Sequence, residues 1–194
     1  MTAVGGRPAT PGGGRVAKVL LVDDRRENLI AVAALLQGLP LEPVAVTSGE
    51  EALKKLLVDD FAVIMLDAQM PGMDGFETAS HIKARERTRH IPIIFLTAAD
   101  RDAQLALRGY ATGAVDYLTK PIDAWVLRAK ISVFLDLWHK SRELATQAAT
   151  VREHEQRWRQ AMESVDAALS ALRGADGVRD IGRAIDLLEE VRRA

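Results

Sequence analysis

Three carboxylates, a hydroxyl and an amine each stand just beyond an apolar run of this chain. Asp23 and Asp24 follow "VAKVLLV", Asp67 follows "FAVIML", Thr97 follows "IPIIFL", and Lys120 comes shortly after "AVDYL". If these runs are strands of one parallel sheet, all of these groups converge on a single edge. Carboxylates crowded in this way repel one another and resist ionising, so they suit a hard, oxygen-loving divalent cation. Mg2+ is the natural candidate. It keeps several waters, takes one or two carboxylates and completes its octahedron with phosphate oxygens, which points to phosphoryl transfer. One carboxylate then remains as a nucleophile, and an aspartate attacking phosphorus forms an aspartyl phosphate. Lys120 and the Thr97 hydroxyl can pair with its oxygens.

The elements that must position these groups are legible in the pattern of the chain. Short β-branched runs, "VAKVLLV", "EPVAV", "FAVIML", "IPIIFL" and "AVDYL", predict five strands at spacings too wide for hairpins. Between them "ENLIAVAALLQGL", "SGEEALKKLLV", "DGFETASHIKARE" and "DRDAQLALRGYA" carry apolar residues at helical spacing, and Ser48 with Glu51 reads as a capping box. Such alternation implies a doubly wound parallel sheet with helices on both faces, whose ligands sit beyond the carboxyl ends of the strands. Residues 1–15, rich in glycine and proline, read as a flexible tail.

Taken singly, each residue has a plainer use. Asp23 and Asp24 can be helix caps or turn residues, Thr97 an ordinary strand residue, Lys120 a solvated charge and Tyr117 a half-buried strand aromatic. Asp67 is set apart, because "QMPG" follows it and the next helix starts near Asp74, the better cap. Joint placement at four strand ends is what favours a site.

Composition removes other classes. The 194 residues suffice for one domain and an extension, and 48% apolar content can fill a core. No apolar run reaches the roughly 18 residues of a membrane span, and the start "MTAVGGRPATPGGGR" has no apolar signal region, so a soluble cytoplasmic protein is expected. Zero cysteines exclude disulfides and thiol catalysis. With 26 basic against 27 acidic residues, the chain offers no electrostatic footprint for nucleic acid.

The segments "LLVDD", "IMLDAQMPGMDGFE", "IIFLTA" and "GAVDYLTKP", in this order and spacing, resemble the receiver domain of two-component response regulators, from about Val16 to about His139. That resemblance implies a flavodoxin-like sheet of strand order 2-1-3-4-5. It implies that Asp67 accepts a phosphoryl group from a sensor histidine kinase. Asp24, Asp67 and the backbone carbonyl of Gln69 would hold Mg2+, with Asp23 assisting directly or through water. Lys120 would contact the phosphoryl group, and Lys120-Pro121 would be a cis peptide. Thr97 would swing toward the phosphoryl group and Tyr117 rotate inward behind it, with small Ala98 leaving the entrance open. Gln69 and Ala99 occupy variable positions that influence phosphoryl lifetime in this family. The charge added by phosphorylation would shift a pre-existing equilibrium and reach the face made by the fourth and fifth helices and the fifth strand.

Beyond the receiver the chain changes character. From Leu127, steps of three and four reach Lys130, Phe134, Leu137, Ser141, Leu144, Ala148, Val151, Glu155, Trp158, Met162, Val165, Leu169 and Leu172, and 11 of these 14 positions are apolar. The pattern predicts a coiled-coil helix on the order of 70 Å long, continuous with the last receiver helix and covering 140–173. "GADG" breaks it, and 174–194 reads as a short helical segment. From Asp123 onward 12 basic and 12 acidic residues balance, which suits a homodimer or a partner protein's helix and not DNA. A response regulator without a DNA-binding output domain is therefore expected. Two other readings stand beside it. His154-Glu155 suggests a phosphorelay intermediate or a kinase-associated receiver, although "EHEQRWRQ" carries no further kinase motif and His154 serves equally as a coiled-coil flank. A haloacid-dehalogenase-type phosphatase would need a second aspartate where Gln69 stands.

Overall fold

The computed structural model describes residues 16–97, 116–173 and 185–186. The tail over 1–15, Ala98, Ala99, the helix expected over 100–111, and all but two residues of the segment 174–194 lie outside them. The chain divides into two units, Met1–His139 and Lys140–Ala194.

In the first unit five parallel strands form one sheet in the order β2-β1-β3-β4-β5, the flavodoxin-like doubly wound arrangement. These are β1 (Ala17–Val22), β2 (Leu41–Val46), β3 (Val63–Asp67), β4 (Ile93–Thr97) and β5 (Asp116–Thr119). Between them lie α1 (Arg26–Leu35), α2 (Gly49–Val58) and α3 (Gly75–Ala84), and after β5 the helix α4 runs over Ala124–Arg173.

Side-chain alternation along the strands sorts the core into two layers. Leu20, Val22, Ile64, Leu66, Ile93 and Phe95 pack with Ala52 and Leu56 of α2 and Phe76, Ala79 and Ile82 of α3. Their neighbours Val19, Leu21, Val63, Met65, Ile94 and Leu96 pack with Leu29 and Val32 of α1 and with Leu127, Ile131 and Leu135 of α4. Burial on both faces explains why β3 reads as an unbroken apolar run.

The starts of α2, α3 and α4 follow capping chemistry, with one departure from the expected pattern. Asp74 caps α3 by accepting from the Glu77 backbone N–H at 2.7 Å. Ser48 caps α2 by accepting from Glu51 N–H at 3.2 Å, but the returning Glu51 carboxylate accepts from the Thr47 N–H at 2.9 Å and not from Ser48. The capping box is thus shifted by one residue on its return bond, and the Thr47 backbone N–H holds the Glu51 carboxyl below its ordinary range. Asp123 caps α4 through the N–H groups of Trp125 and Val126.

The long helix also corrects the expected seam. Leu127 is fully buried in the receiver core and Phe134 packs against it, so neither is available to a coiled coil. Along 140–170, Leu144, Val151, Trp158, Met162 and Leu169 of the series are exposed along one helix, and Val165 is half-buried. Among the described residues no helix is long and apolar enough to cross a membrane.

Candidate functional site

Register brings the candidate residues together. Val22 of β1 pairs with Leu66 of β3, so Asp23 comes level with Asp67; Leu96 of β4 pairs with Asp67, so Thr97 lies one step beyond. Thr119 of β5 pairs with Thr97, and the Lys120 N–H donates to the Thr97 carbonyl at 2.8 Å. Four strand ends therefore deliver Asp23, Asp24, Asp67, Thr97 and Lys120 to one edge, as the alternating pattern requires.

Carboxylate oxygens of Asp23, Asp24 and Asp67 all lie within 4.8 Å of one another. Asp23 is 1% exposed and Asp67 7%, whereas Asp24 is open to solvent. The Lys120 ammonium stands 2.8 Å from Asp23 Oδ2 and 3.2 Å from Asp67 Oδ1. Burial is the main cause that raises the Asp67 carboxyl above its ordinary value, and the Asp23 charge adds to it; Lys120 and the Gln69 N–H act in the opposite direction. For Lys120 burial pulls downward, but the hydrogen bond to Asp23 and the two carboxylate charges outweigh it and hold the ammonium above its usual range. A buried acidic cluster with hard oxygen donors and one cation is a fit for a divalent ion of the Mg2+ class.

Local structure explains how Asp67 is presented. Pro71-Gly72 turns the chain away, with Gly72 at φ +76°, a left-handed conformation that glycine adopts without a Cβ penalty. Gly75 then brings the start of α3 back onto the end of β3: its N–H donates to the Ala68 carbonyl at 3.2 Å, and a Cβ there would lie 2.1 Å from the Asp67 carbonyl oxygen. Lys120-Pro121 is cis.

These residues meet their plainer uses only in part. Neither Asp23 nor Asp24 is the N-cap of α1; that place belongs to Arg25, whose side chain makes no cap bond. Asp23 instead accepts from Arg25 N–H at 2.9 Å, the turn use of an aspartate, and from the Asn28 side-chain amide, a partner that sequence reading missed because a lone Asn in a first helical turn carries no motif. Tyr117 is 46% exposed, more open than a half-buried strand aromatic. Thr97, by contrast, is buried at the end of β4.

Residues 19–132 match the sequence profile of the response regulator receiver domain. The chain belongs to the response regulator receiver family. The receiver is 38% identical over 115 residues to the response regulator PleD of Caulobacter vibrioides, covering 59% of this chain and 25% of PleD. It is 40% identical over 112 residues to the sensor histidine kinase GacS of Pseudomonas protegens, covering 56% of this chain and 12% of GacS. The chain thus spans a quarter or less of these two relatives. Among solved structures, the chemotaxis protein CheY4 of Vibrio cholerae superposes with a TM-score of 0.58 at 32% identity, covering 62% of this chain and 99% of that one.

Proposed function

We propose that Asp67 is the phosphoacceptor of this receiver and that its donor is the phosphohistidine of a sensor histidine kinase. The observation that carries the reading is the pairing of a buried Asp67 with Lys120 at 3.2 Å beside Asp23 and Asp24. In the transfer an Asp67 carboxylate oxygen forms the new O–P bond as the P–N bond of the donor breaks, and the electron pair leaves with the imidazole. Asp23, Asp24, Asp67 and the Gln69 carbonyl are the residues that would hold Mg2+. When bound, that ion neutralises charge on the phosphoryl oxygens. Lys120, already drawn between two carboxylates, is placed to pair with a phosphoryl oxygen, and Thr97 at the end of β4 lies on the same edge. Rotation of Tyr117 into the space Thr97 vacates would carry the change toward β5 and the start of α4.

The product of this chemistry is a signal rather than a turned-over metabolite, so the protein is read as no enzyme in its own right. We place it in the cytoplasm, where the kinase partner presents its phosphohistidine. The receiver is assigned to 16–139, a pairing helix to 140–173 and a short interaction segment to 174–194. Output runs through protein contacts: the helix over 140–173 pairs with a second copy of the chain, a reading supported by its exposed line of Leu144, Val151, Trp158, Met162 and Leu169. A parallel two-stranded coil is the arrangement proposed.

Incubation with a small phosphodonor and Mg2+ tests the acceptor. The wild type should be labelled and Asp67→Asn should not; labelling that survives the substitution would sink the assignment. A second reading, a relay receiver that passes its phosphoryl group to a further histidine, draws support from the match within a sensor histidine kinase. Transfer of label from the phosphorylated chain onto a histidine phosphotransfer protein would distinguish it.

A further inference from the structure

Asp23 is more heavily engaged than its neighbours in the acidic cluster. Its Oδ1 accepts from Arg25 N–H and from Asn28 Nδ2, both at 2.9 Å, and its Oδ2 accepts from Asn28 Nδ2 at 3.0 Å and from Lys120 Nζ at 2.8 Å. The Asn28 amide therefore spans both oxygens of one carboxylate. Asn28 belongs to the first turn of α1, and the backbone of that turn starts at Arg26, so the amide is anchored on a regular element. The carboxylate it grips is buried, where a hydrogen-bond donor acts in a low dielectric and fixes the acceptor's orientation.

We propose that Asn28 is a positioning residue of the phosphoacceptor site, which sets the rotation of the Asp23 carboxylate and through it the place of the Lys120 ammonium beside Asp67. The geometry leaves Lys120 between two acceptors, and the one it approaches more closely is the carboxylate that Asn28 holds. Without Asn28, the Asp23 carboxylate keeps one backbone donor, the Arg25 N–H on Oδ1, and its terminal torsion, a broad rotor, can swing Oδ2 about that bond. Its Oδ2 then carries Lys120 away from the position it shares with Asp67. The Asn28 amide donates to Asp23, and its action is through that carboxylate.

The labelling arm of the test rests on the proposed role of Asp67, and a second arm does not. The full chain carrying Asn28→Leu, which keeps the side chain's size and loses its donors, is compared with wild type in both Asp23 and Asp23→Asn backgrounds. The 15N resonance of the Lys120 ammonium in metal-free protein, assigned with Lys120→Arg, should move in Asn28→Leu and should show no further movement when Asp23 is already Asn. Labelling by a small phosphodonor at saturating Mg2+ should fall about tenfold, the lower range for loss of a group supporting a site ligand, and again only where Asp23 is present. An unmoved Lys120 resonance, or a loss of equal size in both backgrounds, would overturn the proposal. Asn28→Ser, shorter and still polar, serves the same comparison if Asn28→Leu does not fold. A wild-type chain that takes no label defeats the acceptor assignment, while the Lys120 resonance still decides the role of Asn28.

Discussion

Burial presses on Asp67 from the protein side, and the sign of its effect on stability follows. Its folded-state carboxyl is raised above its ordinary value of 3.8, chiefly by burial and then by Asp23. A raised carboxyl means that the folded state binds the proton more readily than the unfolded state. Asp67 therefore destabilises the fold at neutral pH, and that cost disappears as pH falls through its folded value toward 3.8. Asp67→Asn in chelator should raise the unfolding midpoint at pH 7, by about 2–4 °C for each kcal/mol relieved, and the gain should shrink in acid. A midpoint that is lowered or unchanged at pH 7 would contradict the geometry. Lys120 has the opposite sign: its raised value means stability present at neutral pH and lost only above its ordinary 10.5, so an acid-side change does not arise from its own titration. Lys120→Met should cost about 3 kcal/mol at pH 7 in urea unfolding, because two buried carboxylates lose their cation. That difference should narrow as the carboxylates protonate.

Elements set the site through close approaches at helix starts. Gly75 and Gly49 both open a helix, and both lack room for a Cβ, but the obstacles differ in kind. At Gly75 the added atom would meet backbone, the Asp67 carbonyl oxygen at 2.1 Å and Ala68 Cα at 2.9 Å. At Gly49 it would meet side chains, Met73 Sδ at 3.0 Å, which can rotate aside, and Thr78 Oγ1 at 2.2 Å, which yields only by breaking its 2.7 Å bond to the Asp74 carbonyl. Gly75→Ala should destabilise by about 1–3 kcal/mol and also slow labelling of Asp67, since α3 must retreat from the strand end that presents this carboxylate. Gly49→Ala should cost less than Gly75→Ala and leave the labelling rate near wild type. Thermal unfolding paired with phosphodonor kinetics separates the two, and equal labelling rates would deny Gly75 its place behind Asp67.

At the scale of the whole molecule, one helix changes surroundings along its length. Its first turns bury Leu127, Ile131 and Leu135 in the receiver. Along 140–170, Leu144, Val151, Trp158, Met162 and Leu169 meet solvent, with Leu144 64% and Trp158 70% exposed, while Val165 is half-buried and Ala168 buried. Apolar side chains repeating in steps of three and four over that length are stabilised by pairing. Val151→Asp on the full chain should lower the mass seen by light scattering from dimer to monomer while leaving phosphodonor labelling intact. A monomeric wild type at micromolar concentration would refute the self-pairing proposed.

Much of this was readable along the chain, because both signals involved are local. Two-residue and 3.6-residue periods locate the strands and helices, and the wrapping rule for parallel sheets sends Asp23, Asp24, Asp67, Thr97 and Lys120 to one edge. Asp74 as the cap of α3 was equally plain, since a cap bonds within three residues. Tertiary structure alone decided contacts between groups that no local pattern links. Asn28 chelates Asp23 only because α1 returns beside β1, and Lys120 divides itself between Asp23 and Asp67 only because β5 closes that side of the sheet. The seam misled for the same reason. Leu127 and Phe134 fit the heptad by spacing, yet the sheet claims them first, since periodicity states which side chains share a face and packing states what that face meets.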